Sequence, residues 1–173
     1  MTEMLKFDRP DEQAPIIKVI GVGGGGSNAV SYMYTQGIKG VDFYICNTDS
    51  QSLNKCEVPN KIRLGNTGLG AGANPTVGRE AAILIADDIR EILSTNTSML
   101  FITAGMGGGT GTGATPIIAQ IAKELGILTV GIITKPFGFE GRKREKQAEA
   151  GIEELKKYVD TTLVICNDKL LDM

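Results

Sequence analysis

Apolar residues along this chain fall into short β-branched runs, separated by stretches whose apolar positions recur at helical spacing. Ile16-Ile17-Lys18-Val19-Ile20 is the first run; it ends at Gly21 and reads as a buried strand. Residues 28–36 have helical character and stop at Gly37. A second strand is expected over Val41-Asp42-Phe43-Tyr44-Ile45-Cys46, a short third over 61–64, and a loop over 65–73. Asn74-Pro75 marks a helix start, with Asn as cap and Pro at the first position. That helix is expected to run to about Leu93, with Ala82, Ile85, Ile89 and Ile92 on one face. Met99-Leu100-Phe101-Ile102-Thr103-Ala104 reads as a strand, followed by a helix through Pro116 to Leu125 and a strand over 128–134. After a loop come a charged amphipathic helix near 142–158 and a last strand over 162–166.

Strands that alternate with helices predict an α/β fold, a Rossmann-like parallel sheet with helices on both faces. In such sheets ligands sit at the carboxyl ends of the strands. Residues 1–14 are polar and are expected to form a flexible N-terminal arm, leaving 15–173 as one domain. A chain of 173 residues has enough length to bury roughly 70% of its unfolded surface, so a core is possible without staples.

Composition adds one positive signal and several exclusions. The 23 glycines are clustered rather than scattered, which argues for close backbone approach to a ligand. A formal net charge of −2 gives no electrostatic footprint for nucleic acid. Cys46, Cys56 and Cys166 are odd in number and far apart, and histidine is absent, so a zinc site is not expected and a reducing cytoplasm suits the chain. No apolar run approaches the ~20 residues needed to span a bilayer, so no direct membrane insertion is expected.

Gly21-Val22-Gly23-Gly24-Gly25-Gly26-Ser27-Asn28 satisfies G-x-G-x-x-G between a strand and a helix, where backbone amides and the helix dipole favour phosphate. By itself this motif fits a nicotinamide or flavin protein equally well, or a tight strand–helix turn. Gly105-Met106-Gly107-Gly108-Gly109-Thr110-Gly111-Thr112-Gly113 is more specific. Its glycines leave amides unshielded, Thr110 and Thr112 are expected to add hydroxyl donors, and the next helix aims roughly half a positive charge at the same point. A hinge would not require this sequence between a strand and a helix. Gly-Lys-Ser/Thr is absent, which excludes a P-loop. With Gly68-Leu69-Gly70-Ala71-Gly72-Ala73 as a third loop, the pattern suggests a triphosphate held from several sides.

Gly-Gly-Gly-Thr-Gly-Thr-Gly at 107–113 resembles the signature of the tubulin/FtsZ superfamily. The segments 19–30, Asn47-Thr48-Asp49, 68–75, 134–141 and Asn167-Asp168-Lys169-Leu170 resemble its bacterial cell-division members. The resemblance implies a GTP-binding domain of a self-assembling GTPase. Gly24, Gly25, Gly26, Ser27 and Asn28 would line the phosphates and nearby ribose. Asn47 and Asp49 would lie beside the nucleotide, and Ala71, Gly72 and Ala73 would sense the γ-phosphate. Gly107, Gly108, Gly109, Thr110 and Gly111 would cradle the α- and β-phosphates. Glu140 would bind ribose with Arg144 beside it, and Asn167 would read guanine. The implied cofactors are GTP or GDP with Mg²⁺ bound through the phosphates; no protein metal ligands are expected. The implied partners are further copies in a head-to-tail filament, and membrane-anchoring division proteins through a C-terminal tail.

Several residues keep a plainer reading. Glu140 and Arg144 also fit an exposed i,i+4 ion pair, worth a few tenths of a kcal/mol. Asn167 also fits a helix cap. Cys46 and Cys166 read as core residues. Ser27 stands where family members often have glycine, and a positive φ there would put the loop geometry in doubt. Family members continue through a central helix into a second domain, and the acid that positions water on the γ-phosphate comes from a loop ahead of that domain. The expectation is therefore a domain fragment whose catalytic acid lies beyond Met173, able to bind nucleotide but hydrolysing little. The competing functions are a dehydrogenase domain, with Asp49 at about the ribose-binding spacing of ~20 residues, and an assembly module without nucleotide.

Overall fold

The computed structural model describes residues 16–172, so the proposed arm over 1–14 lies outside the described residues. The strands are β1 (Ile16–Val22), β2 (Val41–Asn47), β3 (Asn60–Arg63), β4 (Thr97–Gly105), β5 (Leu128–Lys135) and β6 (Thr161–Cys166). The helices are α1 (Gly23–Thr35), α2 (Ser50–Lys55), α3 (Pro75–Leu84), α4 (Ala86–Ser94), α5 (Thr110–Glu124), α6 (Arg142–Lys156) and α7 (Asn167–Leu171), with a 3₁₀ turn at Gly138–Glu140. The six strands form one sheet in the order β3-β2-β1-β4-β5-β6, and every pairing is parallel.

Side chains on a strand alternate between faces, and the two cores separate accordingly. Val19 packs with Phe43, Ile45, Val30 of α1 and Leu53 of α2 on one face. Ile20 and Val22 pack with Leu100, Ile102 and Ile133 on the other, under Ile89, Leu93, Ile118, Ile152 and Leu155 of α4, α5 and α6. Each fully buried aliphatic side chain contributes about 1.5–3 kcal/mol.

At the amino end of β1, Lys18 is only 3% exposed. Its Nζ donates to the carbonyls of Ile92 (2.6 Å) and Thr95 (2.7 Å), and lies 5.8 Å from the centre of the Tyr44 ring. The ammonium thereby satisfies carbonyls that the end of α4 leaves free. Burial lowers its pKa, partly opposed by the charge of Asp42.

Three local features differ from the expectation. The first helix begins at Gly23 rather than 28, because the glycines themselves form its first turn. The helix over 74–93 is two helices, divided at Ile85 (φ −111°, ψ 23°). Asp87 and Asp88 open the second of these, where acids suit the helix dipole. The break lets α3 lie backbone-to-backbone on α5, so that a Cβ at Gly113 would strike the Pro75 carbonyl. Finally, α2 was not anticipated. Asp49 caps it, its carboxylate accepting from the amides of Gln51 (2.9 Å) and Ser52 (3.3 Å). Asn74 caps α3 as expected, accepting from the Thr76 amide at 3.0 Å. Among the described residues no helix is long and apolar enough to cross a membrane.

Candidate functional site

Strand order reverses between β1 and β4, and in doubly wound sheets that switch point opens a crevice at the carboxyl edge. Register places Val22 of β1 opposite Ala104 of β4, and Gly105 opposite Thr134 of β5. The two glycine-rich turns therefore leave neighbouring strands side by side. Together they wall a hollow of about 370 Å³. Gly23, Gly24 and Gly25 line one side; Gly105, Met106, Gly108, Gly109, Thr110 and Gly111 line another. Thr134, Pro136, Glu140, Arg144 and Asn167 complete it.

Helices α1 and α5 both begin at this hollow. Neither has a side-chain cap, and neither carries an acid in its first turn. Their first amides are therefore left without the intramolecular acceptor that Asp49 and Asn74 give α2 and α3. Two partial positive charges thus face one cavity with no built-in carboxylate at either helix start. At Gly24 and Gly108 a Cβ would meet nothing within 4 Å, so these backbones border open space. At Gly26 a Cβ would strike the Thr103 carbonyl, and at Gly111 the Gly105 carbonyl; these glycines permit close packing beneath the hollow.

The second glycine turn is braced from behind. The Gly107 amide donates to Thr112 Oγ1 at 2.8 Å, and both groups are buried. The Thr112 hydroxyl, expected to face the ligand, therefore faces its own loop, because the tight turn needs an acceptor for an inward amide. Thr110 Oγ1 lies 2.7 Å from Thr48 Oγ1. Ala71 and Asn74 press on Gly109, so loop 68–73 rests against the turn. Ala73 holds φ at 58°, a left-handed conformation that costs an alanine about 1 kcal/mol.

Across the hollow, Glu140 Oε2 accepts from the Phe137 amide at 2.6 Å, while Oε1 lies 3.6 Å from Arg144. The Asp168 carboxylate accepts from the Gly138 amide at 3.0 Å and 3.2 Å, tying the start of α7 to this turn. Phe137 and Phe139 stack at 4.9 Å, and Phe139 is 78% exposed. Asn167 is the first residue of α7; Cys166 occupies the cap position and makes no side-chain cap bond.

Of the expected site residues, the structure brings Gly24, Gly25, Gly108, Gly109, Thr110, Gly111, Glu140, Arg144 and Asn167 together around the hollow. Gly26 and Ser27 are buried below it, with Ser27 inside the helix, free of positive φ, and its hydroxyl without a hydrogen-bond partner. Asn28 faces a separate surface hollow with Ser31, Tyr32 and Lys55. Asn47 is buried, and Asp49 is engaged as a cap. Gly107 bends at φ 116° against Pro136 and Arg144. Val22, Gly23, Gly105, Met106, Thr134 and Pro136 also line the hollow; they lie inside the motifs marked in the sequence but are not among the residues assigned to the site there.

Residues 16–173 match the model of the Tubulin/FtsZ family, GTPase domain. The cell division protein FtsZ of Buchnera aphidicola subsp. Baizongia pistaciae (strain Bp) is 58% identical over 159 residues, which are 90% of this chain and 41% of that protein. FtsZ of Buchnera aphidicola subsp. Acyrthosiphon pisum (strain APS) is 59% identical over 162 residues, with the same shares covered. An empty FtsZ dimer from M. jannaschii superposes with a TM-score of 0.88 at 43% identity, over 91% of this chain and 47% of that one. The GDP-bound monomer of CetZ1 from Haloferax volcanii, at 24% identity and a TM-score of 0.80, shares the fold over 88% of this chain and 51% of its own. The chain thus spans 41% of the length of the curated relatives it matches.

Proposed function

This chain belongs to the tubulin/FtsZ family of GTPase domains, and on that premise we propose that its hollow binds GTP and GDP. The observation that carries the reading is the pair of uncapped helix starts, α1 and α5, facing one cavity beside glycines whose Cβ positions are open. A polyphosphate supplies the acceptors those amides lack. In this reading Gly24 and Gly25 approach the phosphates from one side, and Gly108, Gly109, Thr110 and Gly111 from the other. Gly107, Ala71, Gly72 and Ala73 shape the loop around them, and Glu140 and Arg144 lie by the ribose. Asn167 presents an amide, donor and acceptor at once, for the guanine edge.

Among the described residues no group of three His, Cys, Asp or Glu side chains could hold a metal ion. Mg²⁺ therefore fits this site as an ion carried on the phosphates, where it neutralises their charge. Hydrolysis needs a group to orient water at the γ-phosphate. Glu140 is the carboxylate among the described lining residues, and its oxygens already face the Phe137 amide and Arg144. We place the catalytic acid on the next subunit of a head-to-tail filament, so that assembly completes the site. The full-length protein is then a cytoplasmic cell-division GTPase that reaches the membrane through anchoring partners, and residues 1–173 alone bind nucleotide and turn it over little.

Thermal unfolding with GDP, ATP and NAD tests the proposal. A ligand at a hundred times its dissociation constant contributes about 2.7 kcal/mol. GDP is expected to raise the midpoint while ATP and NAD leave it in place. Stabilisation by NAD in place of GDP would defeat the reading in favour of a dehydrogenase domain, and no response to any of the three would favour an assembly module.

A further inference from the structure

Thr48 stands just past the end of β2 and is 4% exposed. Its side chain reaches 62 residues along the sequence to place Oγ1 2.7 Å from Oγ1 of Thr110, in a buried bond to which either hydroxyl can supply the proton. Thr110 is the first residue of α5 and lines the hollow. Thr48 also accepts the Gly70 amide on its carbonyl at 3.2 Å, so it joins loop 68–73 to the second glycine turn.

A hydroxyl has one proton to give. A phosphate oxygen at the start of α5 accepts hydrogen bonds and gives none. Thr110 can serve such an oxygen only when its own proton is free, which requires the proton in the threonine pair to come from Thr48. We infer that Thr48 is a positioning residue of the nucleotide site: it donates to Thr110 Oγ1, fixes that side chain's rotamer and so turns the Thr110 proton toward phosphate. The inference rests on the nucleotide reading above. Donation into Thr110 also polarises its O–H, so the two bonds strengthen each other in series.

The test is a double-mutant cycle on the full chain, read as the dissociation constant of a fluorescent GDP analogue together with the ligand-free melting midpoint. Thr48→Val keeps the shape and removes the hydroxyl; it is expected to weaken binding roughly tenfold, the scale of one charge-assisted hydrogen bond. Thr48→Ser retains the donor and is expected to bind within about twofold of the unsubstituted protein. In a Thr110→Val background, Thr48→Val is expected to cost less than about twofold more. A purely structural role would lower the midpoint and leave the loss undiminished in that background. Should Thr48→Val fail to fold, Thr48→Cys, of similar size and a weak donor, takes its place with the same expected direction. GDP binding by the unsubstituted protein with equal binding by Thr48→Val overturns this inference alone, as does a loss that persists without Thr110. No GDP binding by the unsubstituted protein overturns the nucleotide reading and this inference with it.

Discussion

Helices α2 and α3 begin with Asp49 and Asn74, whose side chains accept the first free amides. Helices α1 and α5 begin with Val22 and Gly109 at their cap positions, and no side chain does the same for them. Capped and uncapped starts lie along one edge of one sheet, so solvent and strand geometry do not separate them. The difference lies in what each start is for. A capped helix is complete within the chain, whereas an uncapped pair facing a cavity is complete only with an anion in place. Lys18 makes the same point at the opposite end, where an internal ammonium closes the end of α4.

The sharpest way to break this contrast is to give an uncapped start its own carboxylate. Gly24 lies in the first turn of α1 with open space at its Cβ. Gly24→Asp is expected to weaken GDP binding roughly a hundredfold by like-charge repulsion, while the favourable dipole interaction holds ligand-free stability level or raises it by about 0.5 kcal/mol. Titration calorimetry beside urea unfolding checks both halves; unchanged GDP affinity would show that the α1 start does not face the phosphates.

A smaller step is to cover an amide without adding charge. Gly108→Ala puts a methyl group into the hollow and is expected to reduce GDP affinity roughly tenfold, with stability within about 0.5 kcal/mol. Equilibrium dialysis and a melting curve would show whether the two separate. Conversely, Asn74→Ala removes an internal cap and is expected to cost about 1 kcal/mol of unfolding free energy, with a smaller affinity loss than Gly108→Ala. An Asn74→Ala protein of full stability would mean that the cap contributes nothing and that the contrast is geometric only.

The smallest effect concerns Asp49. Hydrogen bonds from Ser52 and Gln51 hold its pKa below the ordinary 3.8. The folded state therefore binds its proton less readily than the unfolded chain. The cap's contribution is present above pH 3.8 and fades as pH falls through the lowered folded value. Asp49→Asn is expected to lie below the unsubstituted protein in urea midpoint at neutral pH, and the gap to close on acidification. A gap independent of pH would remove the carboxylate from the cap's account.

The sheet was legible in the sequence because period-two apolar runs and glycine punctuation are local signals, and all six strands were anticipated within a few residues. Asn74-Pro75 announced α3 for the same reason. The break at Ile85 was not legible as a break: the apolar face continues through it, and the change shows only in the backbone angles at Ile85 and in the close seat of α3 on the glycines of α5. The capping role of Asp49 was hidden for a related cause, since a capping acid and a ligand-facing acid look alike until the residues after it are seen to form α2.

By itself, the sequence determined that two amide-rich turns leave two parallel strands, since glycine density and strand pattern are properties of adjacent residues. Tertiary structure decided which glycines meet open space and which meet backbone. Gly24 and Gly108 differ from Gly26 and Gly113 only in what the rest of the fold brings to within a Cβ's reach. It also decided that Thr48 and Thr110 meet in a buried hydrogen bond and that Thr112 turns inward to Gly107. Such contacts depend on separate segments arriving at one point, and no local pattern encodes that arrival.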